Sequence, residues 1–224
     1  MRTGLRLPPF VLGLAVCLFA ACESAGYQKV DATATRMRSL RDNLTTLKTS
    51  VTSSADSLGG LVDKADVDPK PSFDQYQKDV RAAESAYDSL QSRFNEAKTQ
   101  AYKVFGEWST RTATISDADL KKLSEERRAD LTQKLDKLVA AMQPAMEETQ
   151  AYISTSKDLV EYLSLDLTPR GIKAISDKAK AQMRSSTSIA DKLDDAITAA
   201  DAAASEFATA KPPPPEKAST GSSH

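Results

Sequence analysis

Acid–base and nucleophilic chemistry would have to come from a short inventory in this chain. Its one histidine is His224, and its two cysteines are Cys17 and Cys22. With a single histidine set in a tail of proline, lysine and serine, neither a Ser-His-Asp nor a Cys-His arrangement can be assembled. The Glu-x-x-His pairs that hold two irons inside helical bundles do not occur in it either. Glutamates stand side by side at Glu125-Glu126 and at Glu147-Glu148. Paired carboxylates can share a proton or hold calcium, but neighbours on a helix point about 100° apart, so a solvated face is the expected role of both pairs. Gly59-Gly60 runs into Leu61-Val62 rather than into the lysine and serine of a phosphate-binding loop. No catalytic residue, metal ligand or cofactor is expected, and the chain is not expected to be an enzyme.

The residue whose setting does point to a chemistry is Cys22. Arg2 and Arg6 precede an apolar run from Phe10 to Ala21. A bilayer takes roughly 20 apolar residues to cross, so this shorter run reads as an export signal to be removed before any fold is considered. It ends Phe19-Ala20-Ala21-Cys22, small residues ahead of a cysteine that opens a polar chain. That ending resembles the lipobox of bacterial lipoproteins. The resemblance implies that residues 1–21 are cleaved, that the Cys22 thiol carries diacylglycerol and that the new amine is acylated. Attachment to a membrane through N-terminal acyl chains follows, since each buried methylene adds about 0.8 kcal/mol. Glu23 stands where an aspartate is associated with inner-membrane retention, so the implied address is the outer membrane, facing the periplasm. The alternative is an ordinary export signal with an incidental cysteine. Cys17 would leave with the signal and lipid would consume Cys22, so the remaining chain has no thiol for a disulfide, a zinc site or a nucleophile.

Charge argues against nucleic acid as a partner. Without Arg2 and Arg6 the 30 basic residues fall to 28 against 31 acidic ones, a net charge of −3. A nucleic-acid surface needs a basic stripe, and here lysines and glutamates are interspersed.

The framework that would position any site is read from prolines and periodicity. Pro69 and Pro71, Pro169, and Pro212 to Pro215 punctuate the chain, and proline marks breaks or first turns of helices. Between them, apolar residues recur seven apart. Val30, Met37, Leu44, Val51 and Leu58 form one row, with Leu40, Leu47 and Leu61 beside it. Phe73, Val80, Tyr87, Phe94, Ala101 and Trp108 form the next, beside Tyr76, Ala83, Leu90, Ala97 and Val104. Ser116-Asp117 supplies a helix cap ahead of Leu131, Leu138, Ala145, Tyr152 and Leu159, with Leu135, Met142 and Leu163 alongside and Leu120 and Leu123 off the register. Thr168 and Pro169 open a last helix carrying Ile172, Ala179, Leu193, Ala200 and Phe207 against Ile175, Ile189, Ala196 and Ala203.

These seams predict helices over about 27–63, 72–112, 117–164 and 169–209, the third kinked at Pro144 or, alternatively, broken there. Such stripes cannot stay exposed, and short connections return each helix beside the last. An all-α, elongated antiparallel four-helix bundle or coiled coil is expected, and a 40-residue helix would run roughly 60 Å. The alternative is a three-helix coiled coil with an N-terminal helical stalk. Residues 22–26 form the lipidated N-terminus, 27–209 the bundle and 210–224 a disordered, proline-rich tail. The alanine-rich end around Ala199 to Ala204 is expected to pack closest.

Phe105-Gly106-Glu107-Trp108, the stretch from Leu131 to Met146, and Tyr162 to Leu167 ahead of Gly171-Ile172-Lys173-Ala174-Ile175 resemble a family of Gram-negative lipoproteins of unknown function (DUF2959). The resemblance covers about Tyr27 to Phe207 and implies the same address and helical fold. It carries no activity or ligand.

Two functions follow as expectations. The preferred one is a membrane-anchored, non-catalytic structural or protein-interaction module of the cell envelope, with an envelope protein as partner. The other is a helical binding module for a lipid or other apolar ligand beside the aromatic row. Trp108 is expected in the core rather than as an exposed anchor, and the proline-rich tail as plain chain rather than a polyproline ligand. Heptad seams leave self-association open.

Overall fold

A computed structural model describes residues 24–209. The expected signal peptide over 1–21, the lipid attachment at Cys22 and the tail over 210–224 lie outside the described residues. Among the described residues five helices follow in order: α1 (Ser24–Asp63), α2 (Lys70–Thr112), α3 (Ala118–Leu165), α4 (Pro169–Ala174) and α5 (Ser176–Thr209).

The four long helices form a square. α1 packs on α2 and α5, and α3 packs on the same two, so α1 and α3 sit at diagonal corners. This is the antiparallel four-helix bundle, and the three-helix alternative is excluded because Met37, Leu40, Leu44, Leu47 and Val51 of α1 are fully buried in the shared core. α3 has 48 residues, so the body is a rod about 70 Å long. Its core falls into two clusters. The larger runs from Ala34 and Phe207 to Val51 and Ile153. The smaller closes the far end with Leu58, Leu61, Phe73, Tyr76, Leu159 and Ile172.

Helix ends depart from the sequence reading where local chemistry is permissive. α1 is already helical at Ser24, ahead of the expected start at about residue 27; each residue added to an existing helix gains a hydrogen bond at little cost. α2 starts at Lys70 with Pro71 in its first turn, where a missing N–H is no loss. The Lys70 amide donates to Asp68 Oδ1 at 3.1 Å. α3 opens on the expected cap, with Asp117 Oδ1 accepting from Leu120 N at 2.9 Å. It stays one helix through Pro144, so the alternative of a break there is excluded. Pro144 and Ala140, whose carbonyl loses its partner, both face solvent, and water replaces the bond that proline cannot make.

The expected helix over 169–209 is two pieces. Ile175 has ψ near 0° and its amide donates to Ile172 O at 3.3 Å. That tighter three-residue turn brings residues i and i+3 onto one side, and both Ile172 and Ile175 are thereby buried in the smaller cluster. The corner before it is closed by side chains. Asp166 Oδ1 accepts from the Thr168 hydroxyl at 2.7 Å, and Thr168 Oγ1 accepts from Gly171 N at 3.1 Å. Gly171 lies so close to Asp166 that a Cβ there would sit 2.3 Å from its carbonyl oxygen, whereas a Cβ on Gly60 would meet nothing within 4 Å.

The two glycines should therefore respond in opposite directions. Gly171→Ala should destabilise the bundle by about 1–3 kcal/mol as the corner is forced open. Gly60→Ala should stabilise it by about 0.5–1 kcal/mol through the helix propensity alone. Urea unfolding followed by circular dichroism measures both, and equal effects would contradict the close approach at Gly171.

Candidate functional site

The heptad rows contain gaps, and the gaps are polar. Ser54 falls between Leu47 and Leu61, Thr149 and Ser156 between Met142 and Leu163, Gln182 between Ile175 and Ile189, and Ser186 between Ala179 and Leu193. All five are buried. Each sits where its helix would otherwise present an apolar side chain to the axis, which is why an apolar periodicity passes over them.

Three of these residues join two tyrosines in a network that draws on every long helix. Ser54 Oγ of α1 donates to Val51 O at 2.9 Å, and its lone pairs meet the Tyr152 hydroxyl of α3 at 2.8 Å. The Gln182 amide of α5 donates to Ser156 Oγ at 2.8 Å and to Tyr152 O at 2.9 Å. The Tyr76 hydroxyl of α2 reaches Ser156 O at 3.4 Å. Thr149 and Ser186 donate to carbonyls of their own helices, Ala145 O at 2.7 Å and Met183 O at 2.8 Å. The layer lies at the boundary of the two apolar clusters.

This layer is suited to alignment rather than to proton transfer. Burial pushes the Tyr76 and Tyr152 phenols above their ordinary value of 10.0, against the lowering effect of their hydroxyl partners. Both stay protonated near neutrality. A hydrogen-bonded polar residue at a seam position makes shifted registers costly, because slipping by one turn leaves its groups buried without partners.

The residues singled out in the sequence do not converge. Glu125 is exposed and Glu126 pairs with Lys122 across one turn at 3.8 Å. Glu147 accepts from Gln143 at 3.0 Å. Glu148 bonds Lys192 of α5 at 2.9 Å, which holds its carboxyl below the usual range. Among the described residues no group of three or more His, Cys, Asp or Glu side chains is placed to hold a metal ion. Trp108 is half-buried, packed on the larger cluster with its indole N–H donating to Ser124 Oγ at 2.8 Å. The expected core position is thus only partly occupied. Gly59 and Gly60 are helical in α1. Cys22, His224 and the tail lie outside the described residues.

Among the described residues six ion pairs cross between helices, at least one on each side of the square. Lys29 pairs with Glu107, Arg41 with Asp201, Lys48 with Asp194, Lys157 with Glu84, Arg127 with Glu206 and Lys192 with Glu148. Exposed pairs are worth little singly, so their effect is on which helix faces meet.

The family described as "Protein of unknown function (DUF2959)" matches residues 18–207 of this chain. No curated protein and no solved structure matches it.

Tyr152→Phe removes the hydroxyl shared with Ser54 and should cost about 1 kcal/mol in urea unfolding; no loss would mean that the layer contributes only packing. The raised phenols also set an alkaline limit. The folded chain keeps protons that an unfolded chain releases near pH 10, so stability present below that value should fall as the pH rises above it. The share of tyrosinate absorbance due to the buried Tyr76 and Tyr152 should then appear only as helical circular dichroism is lost, and full tyrosinate absorbance from an intact bundle would contradict their burial.

Proposed function

The chain belongs to the DUF2959 family, and we propose that it is a lipid-anchored, non-catalytic rod of the cell envelope that holds its helix faces at a set distance from a membrane for another envelope protein. The observation that carries this reading is the bundle itself. Its long helices, α3 about 70 Å of it, keep an apolar interior in two adjoining clusters and turn charged side chains outward, where they pair across helix faces. Among the described residues no helix is long and apolar enough to cross a membrane, and in this reading acyl chains alone hold the protein. Glu23 favours the outer membrane, facing the periplasm.

A second reading has one observation in its favour. A groove of about 320 Å³ between α2 and α3 is floored by Tyr87 and Ile153, on the aromatic row where an apolar ligand would bind. Glu84, Asp88, Lys157 and Asp158 rim it, and burying such charges against an apolar molecule is costly. Native mass spectrometry after gentle extraction separates the readings, since a ligand module carries a reproducible added mass and a rod does not.

Fractionation tests the anchor. The protein should remain with membranes through salt and carbonate washes and leave only with detergent, and Cys22→Ser should release it. Wild-type protein that washes out without detergent would overturn the anchor. Amine crosslinking in intact cells should yield a discrete heavier species containing one other envelope protein, and its absence would remove the interaction half.

A further inference from the structure

α5 carries its charges in the reverse of the order that a helix favours. After Asp177 in its first turn come Lys178, Lys180 and Arg184, then the uncharged run from Ser185 to Ala190. Asp191, Asp194, Asp195, Asp201 and Glu206 follow, with Lys192 alone among them. Anions stabilise the start of a helix and cations its end, so this order does not stabilise α5 itself. On α2 and α3 opposite charges neutralise each other one turn apart, as in Lys70–Asp74 and Lys122–Glu126. α5 instead pairs Lys192, Asp194, Asp201 and Glu206 with its neighbouring helices. Among the described residues Lys180, Arg184, Asp191 and Asp195 have no ion-pair partner.

Those four side chains are exposed, together with Ala181, Thr187 and Thr198, on the side of α5 away from its buried row of Ala179, Gln182, Ser186, Ile189 and Leu193. A face that is basic on one side of its middle and acidic at the same spacing on the other complements itself when turned end for end. We propose that this face docks on the same face of a second copy of the chain, antiparallel and centred between Thr187 and Ser188. About that centre Arg184 of each copy stands opposite Asp191 of the other, and Lys180 comes within reach of Asp194 and Asp195. Asp177 falls opposite Thr198 and so meets no acid. Ala181, Thr187 and the half-buried Ser188 are short enough to let the helices approach closely. Exposed ion pairs are weak singly, but the two-fold axis makes each of them twice. A parallel pair in register would set cations on cations and acids on acids, which opposes it. α2, diagonal to α5 in the square, stays uncovered. The pairing does not rest on the lipid anchor; where copies are anchored, their opposite directions lay the pair along the membrane, and the distance it sets is the width of the bundle.

A cysteine near the two-fold axis meets its own copy, and one far from it does not. In the full chain carrying Thr187→Cys, a mild oxidant should produce a disulfide-linked species of twice the mass, in excess of any from wild-type chain treated alike. Thr198→Cys should produce no such excess, because its two copies would stand about 30 Å apart and a disulfide needs Cα atoms within about 7 Å. Added to Thr187→Cys, either Arg184→Asp or Asp191→Arg should lower the yield about tenfold. The two together should restore it, since the opposition is rebuilt with its signs exchanged. Unchanged helical circular dichroism separates these losses from misfolding. No excess at 187, or equal excess at 187 and 198, would overturn the antiparallel pair. A yield indifferent to the single reversals, or not restored by the double one, would overturn the complementarity on which it stands. Linkage of 187 to a different protein would give the face to another partner and overturn self-pairing, and none of these readings changes if the anchor fails.

Discussion

An apolar row that repeats every seven residues along helices of this length must be covered along its whole course, and the bundle is the geometry that covers it. One helix cannot do so, because its stripe would face water for about 60 Å. In the square, α1 is covered by α2 and α5, and α3 by the same two. The far end needs a lid, which Ile172 and Ile175 supply by turning inward through the break between α4 and α5. Even Pro144 is accommodated by this demand: it lies on the outer face of α3, where losing one backbone bond leaves the seam intact.

A purely apolar seam tolerates sliding, since every seventh step presents a similar surface. The layer of Ser54, Tyr76, Tyr152, Ser156 and Gln182 opposes that. Its groups are satisfied in one alignment of four helices and orphaned in the others. The charged rungs outside it, from Lys29–Glu107 to Arg127–Glu206, reinforce the same alignment from the surface. Relative register, in turn, decides what the ends present. It sets which residues of neighbouring helices face one another, as where Trp108 and Thr112 of α2 both meet Ser124 of α3, so the ordering of the core and the pairing at the ends are one constraint seen at two places.

The helices, their approximate ends and the apolar rows were legible in the sequence because they follow from chemistry within a few residues: a seven-residue repeat, the Asp117 and Thr168 caps, a proline tolerated in a first turn. The exposure of Leu120 and Leu123 was legible for the same reason, since both fall off the repeat. The polar layer was half legible. Ser54, Ser156 and Gln182 each stand at a seam position, and a count that asks what fills every seventh place would find them, but that they meet depends on pairing residues as distant as Ser54 and Tyr152. Only the tertiary structure decided that convergence, the diagonal placement of α1 and α3, the half-burial of Trp108 and the break at Ile175. Each depends on how far one helix is shifted along another, and that shift is set by burial and hydrogen bonding summed over the whole bundle rather than by any local stretch of chain.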